Sequence, residues 1–151
     1  VIDLASGSGF YINEIIKYNP KEVYAVDFSK KMLDKIENKK IVKIHSDIMD
    51  LNIKKKFTKI FCFGLLEFCN DIDIILKKIY KLSNYSTEIF IIFPRSNLFG
   101  IIYKFKHLLN GFKITIRDFN KIKKMLDNNN LVIVKKHITL LSNFIVVKRN
   151  D

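Results

Sequence analysis

Short runs of β-branched and aromatic residues alternate along this chain with segments whose apolar residues recur at helical spacing. That alternation is typical of βαβ units and predicts a mostly parallel sheet with helices on its faces. The strands are predicted at residues 1–4, 22–26, 41–44, 59–63, 88–93, 131–138 and 143–148. Only a few residues separate the last two strands, so they must form an antiparallel hairpin, because a parallel return needs a dozen or more residues.

Helices are predicted where a capping residue precedes apolar residues spaced three and four apart. Ser29 caps one helix, Asn70 or Asp71 caps another, and Asp118 caps the last, while a further helix covers residues 98–109. The apolar residues expected to face inward are Ile12, Ile15, Ile16, Met32, Leu33, Ile36, Ile72, Ile75, Leu76, Ile79, Phe119, Ile122, Met125 and Leu126. No internal repeat or linker interrupts this pattern, which predicts a single α/β domain over residues 1–151.

The positive charge of the chain comes almost entirely from lysine. The 151 residues carry a net charge of +12, with 24 lysines and 3 arginines. Recognition of bases and phosphates favours the planar fork of arginine, and the lysines are scattered along the chain. They therefore predict solvated surfaces, and nucleic acid is not the expected partner. No apolar run reaches the roughly 18 residues that a membrane span needs.

The two cysteines and the first residue bear on where the protein works. A chain of this length can build a core without disulfides, so Cys62 and Cys69 predict free thiols in a reducing, cytoplasmic compartment. No histidine lies near them in the sequence, so they do not predict a metal site. The chain begins at Val1, inside a predicted strand, and we expect N-terminal helices to precede it in a longer protein.

Acidic residues and glycines follow four of the predicted strands, at the sheet edge where ligands of such folds bind. Asp3 is followed by the segment Ala5-Ser6-Gly7-Ser8-Gly9, in which glycines allow close approach of a ligand to the backbone and a helix N-terminus follows. Asp27 lies 18 residues beyond Gly9, where a carboxylate accepts hydrogen bonds from ribose hydroxyls. Asp47 can accept from an adenine amine, and residues 64–67 open a further turn.

Three other ligand-binding or catalytic motifs are absent from the sequence. The dinucleotide motif G-x-G-x-x-G needs a third glycine where Phe10 or Ile12 stands, which ranks an NAD-binding oxidoreductase second. No Gly-Lys dipeptide supports a P-loop, and no G-x-S-x-G motif surrounds Ser6 or Ser8. The pattern is therefore that of an adenosine-binding α/β domain of another kind.

The segments VIDLASGSGFY, VYAVDFSKKML, HSDIMDL and FCFGLLEFCNDI together resemble the motifs of the class I S-adenosylmethionine-dependent methyltransferases, and the resemblance covers essentially the whole chain. It implies a Rossmann-like three-layer sandwich around a seven-stranded, mostly parallel sheet with an antiparallel last strand. It also implies S-adenosylmethionine as the cofactor. The first glycine of the family's motif is Ala5 in this chain.

The resemblance also implies a role for individual residues. The methionine part of the cofactor would be held by Asp3 and the loop 5–9, the ribose by Asp27, and the adenine by Asp47 and Ile48. The full set implied to bind cofactor is Asp3, Ala5, Ser6, Gly7, Ser8, Gly9, Asp27, Phe28, Met32, Asp47, Ile48, Gly64 and Leu65.

The acceptor side is less defined by the sequence. His107 and Glu67 are candidates for a general base, with packing roles as the alternative. Residues 64–67 do not resemble the Asn-Pro-Pro-Tyr turn of enzymes that methylate nucleobase or glutamine amino groups, so a small-molecule acceptor is favoured over RNA. The alternative from another class is a methyltransferase-like binding or scaffold module without catalysis.

The predicted helix over residues 98–109 carries an apolar, aromatic set, namely Leu98, Phe99, Ile102, Tyr103 and Phe105. This set predicts either the wall of a pocket for an apolar acceptor or a stripe that packs on the core. Packing on the core is the favoured interpretation.

Overall fold

The protein is built on a seven-stranded sheet, seen here in a computed structural model that describes residues 1–150. The strands are β1 (Ile2–Leu4), β2 (Val23–Asp27), β3 (Ile41–His45), β4 (Lys59–Phe63), β5 (Glu88–Pro94), β6 (Leu131–Ile138) and β7 (Ser142–Arg149). Their order in the sheet is β3-β2-β1-β4-β5-β7-β6, and β7 runs antiparallel to both β5 and β6. This confirms the predicted fold class, including the closing hairpin, and the strand ends differ from the predicted ones by a residue or two.

Except for the first, which follows Gly9, the α-helices begin after a residue whose side chain accepts a hydrogen bond from the first turn. They are α1 (Phe10–Ile15), continued by a short 3-10 helix (Ile16–Tyr18), α2 (Lys30–Leu33), α3 (Ile72–Leu82), α4 (Leu98–Leu109) and α5 (Phe119–Asn128). Ser29 and Asp118 are caps, as predicted, and Asp71 rather than Asn70 caps α3. Asn97 caps α4 by accepting from the amide of Gly100.

Two helical layers enclose the sheet. On one face, Ile12 of α1 and Leu33 of α2 form a small buried cluster with β2 and β3. On the other face, α3 and α5 contribute residues such as Ile75 and Leu126 to the larger core. These helices pack on the two faces of the sheet and leave the carboxyl ends of the strands free to carry a site.

One residue of α2 does not point where we expected. Met32 was predicted to face inward, but 41% of its surface is exposed, whereas Leu33 and Ile36 are buried. The helix has a single turn, and Leu33 within it and Ile36 just after it pack against β2 and β3. Met32 is one position away from Leu33, about 100° around the helix axis.

The interpretation of α4 as a core-packing helix was wrong. Leu98, Ile102 and Phe105 are 67%, 57% and 60% exposed, while Phe99 and Tyr103 are only partly covered, at 39% and 36% exposed. Gly100 is the residue of α4 that is buried. A Cβ at this position would lie 1.9 Å from the carbonyl oxygen of Arg95, so the lack of a side chain is what allows α4 to pack so closely.

Strands β4 and β5 carry aromatic side chains that α1 and α2 do not cover. Phe61 and Phe90 stack with ring centroids 5.1 Å apart, and Tyr11 meets Phe63 edge-on at 4.6 Å. A groove of about 690 Å³ runs along these rings. Within residues 1–150, none of the helices has the length and apolar character required to cross a membrane.

Candidate cofactor and acceptor site

The loop after β1 is a tight turn with three residues in the left-handed region. Ala5, Gly7 and Gly9 have φ values of 61°, 55° and 82°. Gly9 caps α1, and a Cβ there would lie 2.8 Å from the side chain of Ile36, so the glycine leaves room for this buried residue that follows α2. A Cβ at Gly7 would meet no atom within 4 Å, so this part of the loop presents its backbone to open space. Ser8 is exposed beside it.

Asp27, at the end of β2, organises this loop. Its Oδ2 accepts a hydrogen bond of 2.7 Å from the Gly7 amide, and its Oδ1 accepts one of 2.8 Å from the Ser29 amide. The side chain is buried, yet each carboxylate oxygen can accept a second hydrogen bond. Asp27 therefore fixes the glycine loop and can still accept from a ligand hydroxyl.

Two buried polar groups beside the loop have no partner among the described residues. They are Oδ2 of Asp3 and the hydroxyl of Ser6. Burial, reinforced by the charge of Asp27, raises the pKa of Asp3 to about 7. Buried polar atoms are nearly always hydrogen-bonded in folded proteins, so these groups have capacity for a ligand that donates hydrogen bonds or carries positive charge.

The remaining residues predicted to bind the cofactor occupy the next turns along the same edge. Asp47 is exposed and accepts a 2.8 Å hydrogen bond from the Met49 amide, while Ile48 is buried behind it. Phe28 lies on the surface, 69% exposed. Burial, followed by the charge of Asp47, raises the pKa of Cys69 to about 11, which places the turn after β3 near the turn after β4.

Glu67 is a buried carboxyl group in the turn after β4. Its Oε2 has no hydrogen-bond partner among residues 1–150, and a Cβ at Gly64 would lie 3.6 Å from its Oε1. Burial raises the pKa of Glu67 to about 7, against the lowering effects of its own backbone, of Tyr103 and of Arg117. Leu65, another residue implied to bind the cofactor, is buried in the same turn.

Tyr103 links Glu67 to His107, the other candidate base. Burial and the neighbouring Glu67 raise the pKa of the Tyr103 hydroxyl to about 12. The ring of His107 meets that of Tyr103 at 4.5 Å and that of Phe68 at 5.4 Å. The Nδ1 atom of His107 is buried and lacks a partner in the described part of the chain. Tyr103 of α4 therefore contacts both candidates, His107 on the same helix and Glu67 in the turn after β4.

Sequence reasoning missed Arg117, which holds the β4 turn in place. Its guanidinium donates to the carbonyl oxygens of Leu66 at 2.9 Å and Cys69 at 2.6 Å. The Thr115 amide donates to the Glu67 carbonyl at 2.8 Å. The only signal in the sequence is that Arg117 is one of 3 arginines and precedes the α5 cap directly. Tyr103 was missed as a polar residue because it was grouped with an apolar stripe.

A family model described as a methyltransferase domain matches residues 2–85, more than half of the chain. The chain belongs to the methyltransferase-domain family. This confirms the resemblance carried by the sequence motifs, with S-adenosylmethionine as the methyl donor. The matched range includes β1 to β4 and every residue implied to bind the cofactor. No curated protein matches this methyltransferase.

Solved structures share the fold of this methyltransferase at low sequence identity. An S-adenosylmethionine-dependent methyltransferase from Mesorhizobium loti has a TM-score of 0.85 and 12% identity, over 98% of this chain and 89% of that one. Magnesium protoporphyrin IX methyltransferase from Synechocystis, with bound S-adenosylhomocysteine, has a TM-score of 0.77 and 17% identity, over 98% and 73%. The 1,6-didemethyltoxoflavin-N1-methyltransferase of Burkholderia thailandensis has a TM-score of 0.78 and 12% identity, over 99% and 70%.

Proposed function

We propose that this methyltransferase transfers a methyl group to a small-molecule acceptor that binds beneath α4, at the carboxyl end of β4. The observation that carries the proposal is a row of buried acidic groups along one sheet edge. Asp3, Asp27 and Glu67 are all buried, and Asp3 and Glu67 each have an oxygen without a partner in residues 1–150. Similar folds that methylate small molecules, a porphyrin and a toxoflavin precursor, support the choice of acceptor class.

The residues on the β1 and β2 side suit the methyl donor. Bound S-adenosylmethionine supplies a methyl group activated by the positive charge of its sulfonium. Asp3, Ser6 and the backbone of the glycine loop would hold the methionine part. Oδ2 of Asp3 and the Ser6 hydroxyl have no hydrogen-bond partner within residues 1–150 and can bind it. Asp27 accepts from the ribose, in addition to the two amides that it already binds. Gly64 and Leu65 flank the donor on the acceptor side.

The adenine pocket is formed by the outer turns. Asp47 would accept a hydrogen bond from the exocyclic amine of adenine, and the buried Ile48 would supply an apolar contact. Phe28 and Met32 would cover the ring from the surface. Both Phe28 and Met32 are exposed in the structure, as expected of side chains that become covered when a ligand binds.

On the acceptor side, Glu67 serves as the general base. The bound donor would supply the methyl group, and Glu67 would take the proton that the acceptor loses on methylation. A group whose pKa is about 7 suits this task near neutral pH. His107 supports the ring of Tyr103, which faces the Glu67 carboxylate.

The charge distribution favours a small molecule over RNA. Arg117 is engaged with carbonyl oxygens of the β4 turn, and Arg95 donates to Thr139 of the hairpin. Arg149 lies against the rings of Tyr80 and Tyr85. All three arginines therefore have structural partners. Both cysteines are free thiols, which agrees with a protein of a reducing compartment.

The test combines donor binding with product identification. Isothermal calorimetry with S-adenosylmethionine is expected to give binding that Asp27→Ala weakens at least about tenfold, because this variant removes the anchor of the glycine loop. Asp34→Ala, which removes an exposed carboxylate, is the control. Incubation with labelled donor and a metabolite extract is expected to yield a labelled small molecule. Label in RNA alone, or unchanged binding in Asp27→Ala, would contradict the proposal.

A further inference from the structure

Helix α4 presents an apolar surface directed away from the protein. Six residues, which we name the α4 apolar face, are each between 57% and 73% exposed, namely Leu98, Ile101, Ile102, Phe105, Leu108 and Leu109. At 3.6 residues per turn they fall within an arc of about 120° around the helix axis. Gly100 and His107, which pack inward, lie on the opposite side. An exposed apolar surface of this kind marks an interaction site.

Lysines lie at both boundaries of this arc. Lys104 falls on one side of the α4 apolar face and Lys106 on the other, each about 40° beyond its edge by helix geometry. Both are exposed. Their stems can lie along apolar surroundings while the ammonium groups reach a polar layer above, the arrangement found in helices that lie in a membrane interface.

The surrounding chain is positively charged throughout. Between positions 95 and 117 the sequence has no aspartate or glutamate, and its exposed cationic side chains are Lys104, Lys106 and Lys113. A segment with cationic groups around an apolar centre complements a surface that is apolar within and anionic at its boundary. Phospholipid with anionic headgroups has that chemistry.

The tip of the β6–β7 hairpin extends the same surface. Leu140 and Leu141 are 60% and 61% exposed. The Asn97 side-chain amide donates to the Leu140 carbonyl at 3.1 Å, and the Arg95 amide donates to the Leu141 carbonyl at 3.0 Å. The two leucines are therefore fixed next to the start of α4 and add to the exposed apolar area at that end of the helix.

We propose that α4 lies flat on an anionic phospholipid surface, with the α4 apolar face inserted below the headgroups and Lys104 and Lys106 at their level. This peripheral attachment goes beyond methyl transfer and does not depend on it. The inward side of α4 carries Tyr103 towards Glu67. Attachment through the outer side therefore places the acceptor side of the site next to the lipid.

A single tryptophan tests the depth of insertion. The chain contains no tryptophan, so Phe105→Trp introduces a unique fluorophore on the α4 apolar face. Its emission is expected to shift to shorter wavelength with phosphatidylcholine vesicles that contain phosphatidylglycerol, and to be quenched by brominated acyl chains. Tyr85→Trp, at a 71% exposed position before β5, is the matched control and is expected not to shift. An unshifted Phe105→Trp spectrum would overturn the proposal.

Vesicle flotation of the full chain measures the apolar and the electrostatic contributions to lipid binding separately. The triple variant Ile101→Ser, Phe105→Ser, Leu108→Ser and the double variant Lys104→Gln, Lys106→Gln are each expected to partition at least about tenfold more weakly than the unchanged chain. The double variant Lys39→Gln, Lys40→Gln removes the same charge from another exposed segment and is expected to leave partitioning unchanged. Calorimetry with S-adenosylmethionine checks that every variant is folded.

If a partner other than lipid binds the α4 apolar face, the same variants give different results. No flotation with phosphatidylglycerol at low salt, or equal flotation of the triple variant, contradicts the proposal. If instead the unchanged chain forms a dimer in sedimentation velocity that the triple variant abolishes, the face binds a second copy. If it retains an acidic protein or RNA without binding vesicles, the partner is that macromolecule and not lipid.

Discussion

At the scale of single residues, Ala5 is the departure from the family pattern with the clearest physical cost. Its φ of 61° lies in the left-handed region, where a Cβ crowds the following carbonyl at a cost of roughly 1–2 kcal/mol. The turn persists here because Asp27 holds Gly7 and because the Ser6 amide donates to the Val26 carbonyl at 2.9 Å.

Ala5→Gly is therefore expected to stabilise the protein by about 0.5–1 kcal/mol, since relief of the backbone strain exceeds the added entropy of the unfolded chain. Urea unfolding followed by circular dichroism measures the change. The chain's other alanine, Ala25, is buried within β2, and Ala25→Gly is the control, expected to destabilise. A loss of stability in Ala5→Gly as large as that of the control would show that the alanine is not strained.

At the scale of elements, α4 depends on one close contact. Gly100 packs against the chain that leads into its own helix, and a Cβ there would lie 1.9 Å from the Arg95 carbonyl oxygen and 3.1 Å from its carbon. Both are backbone atoms, so relief requires the whole helix to move. The contact matters for the site because α4 carries Tyr103, which faces Glu67.

Gly100→Ala is expected to destabilise the protein by about 3 kcal/mol, the upper part of the range for an overpacked position. Equilibrium unfolding in urea measures this directly. Leu109→Ala, at a position 73% exposed on the same helix, is the control and is expected to change stability by less than about 0.5 kcal/mol. If Gly100→Ala behaves like the control, α4 is not held by this contact.

The elements also show what the sequence can predict. Strands, caps and the closing hairpin follow from local periodicity, so the fold and the edge that carries Asp3 and Asp27 were predictable. The exposure of α4 was not, because helical spacing tells which residues share a face but not whether a neighbour covers it. The proximity of Glu67 and Tyr103, 36 positions apart in the sequence, depends on how α4 packs over β4.

At the scale of the whole molecule, two buried carboxyl groups link stability to pH. The pKa of Asp3 rises from 3.8 to about 7 on folding, and that of Glu67 rises from 4.5 to about 7, in both cases mainly because burial disfavours the charged form. Between these limits the folded protein keeps protons that the unfolded chain releases. Through these two groups its free energy of unfolding falls as pH rises from about 4 to about 7, and they add no further slope above that range.

Exposed carboxylates change the free energy of unfolding outside the pH range in which Asp3 and Glu67 do so. Ion pairing with Lys55 and Lys59 lowers the pKa of Glu22 and of Glu88, so their contribution is complete above the unfolded value of 4.5 and is lost only as pH falls below it. The decline between about pH 5 and pH 7 is therefore assigned to Asp3 and Glu67.

The expected loss of stability from pH 5 to pH 8 is on the order of 2 kcal/mol for each group, measured by urea unfolding at the two pH values. Asp3→Asn and Glu67→Gln are each expected to remove about half of the slope, while Glu37→Gln, on the surface, leaves it unchanged. S-adenosylmethionine is expected to restore more stability at pH 8 than at pH 5, because its positive charge favours the ionised Asp3, and Asp3→Asn removes that difference. If the slope survives both substitutions, the folded protein carries these two carboxyl groups ionised. In that case the pKa of Glu67 would no longer support its assignment as the group that takes the acceptor proton.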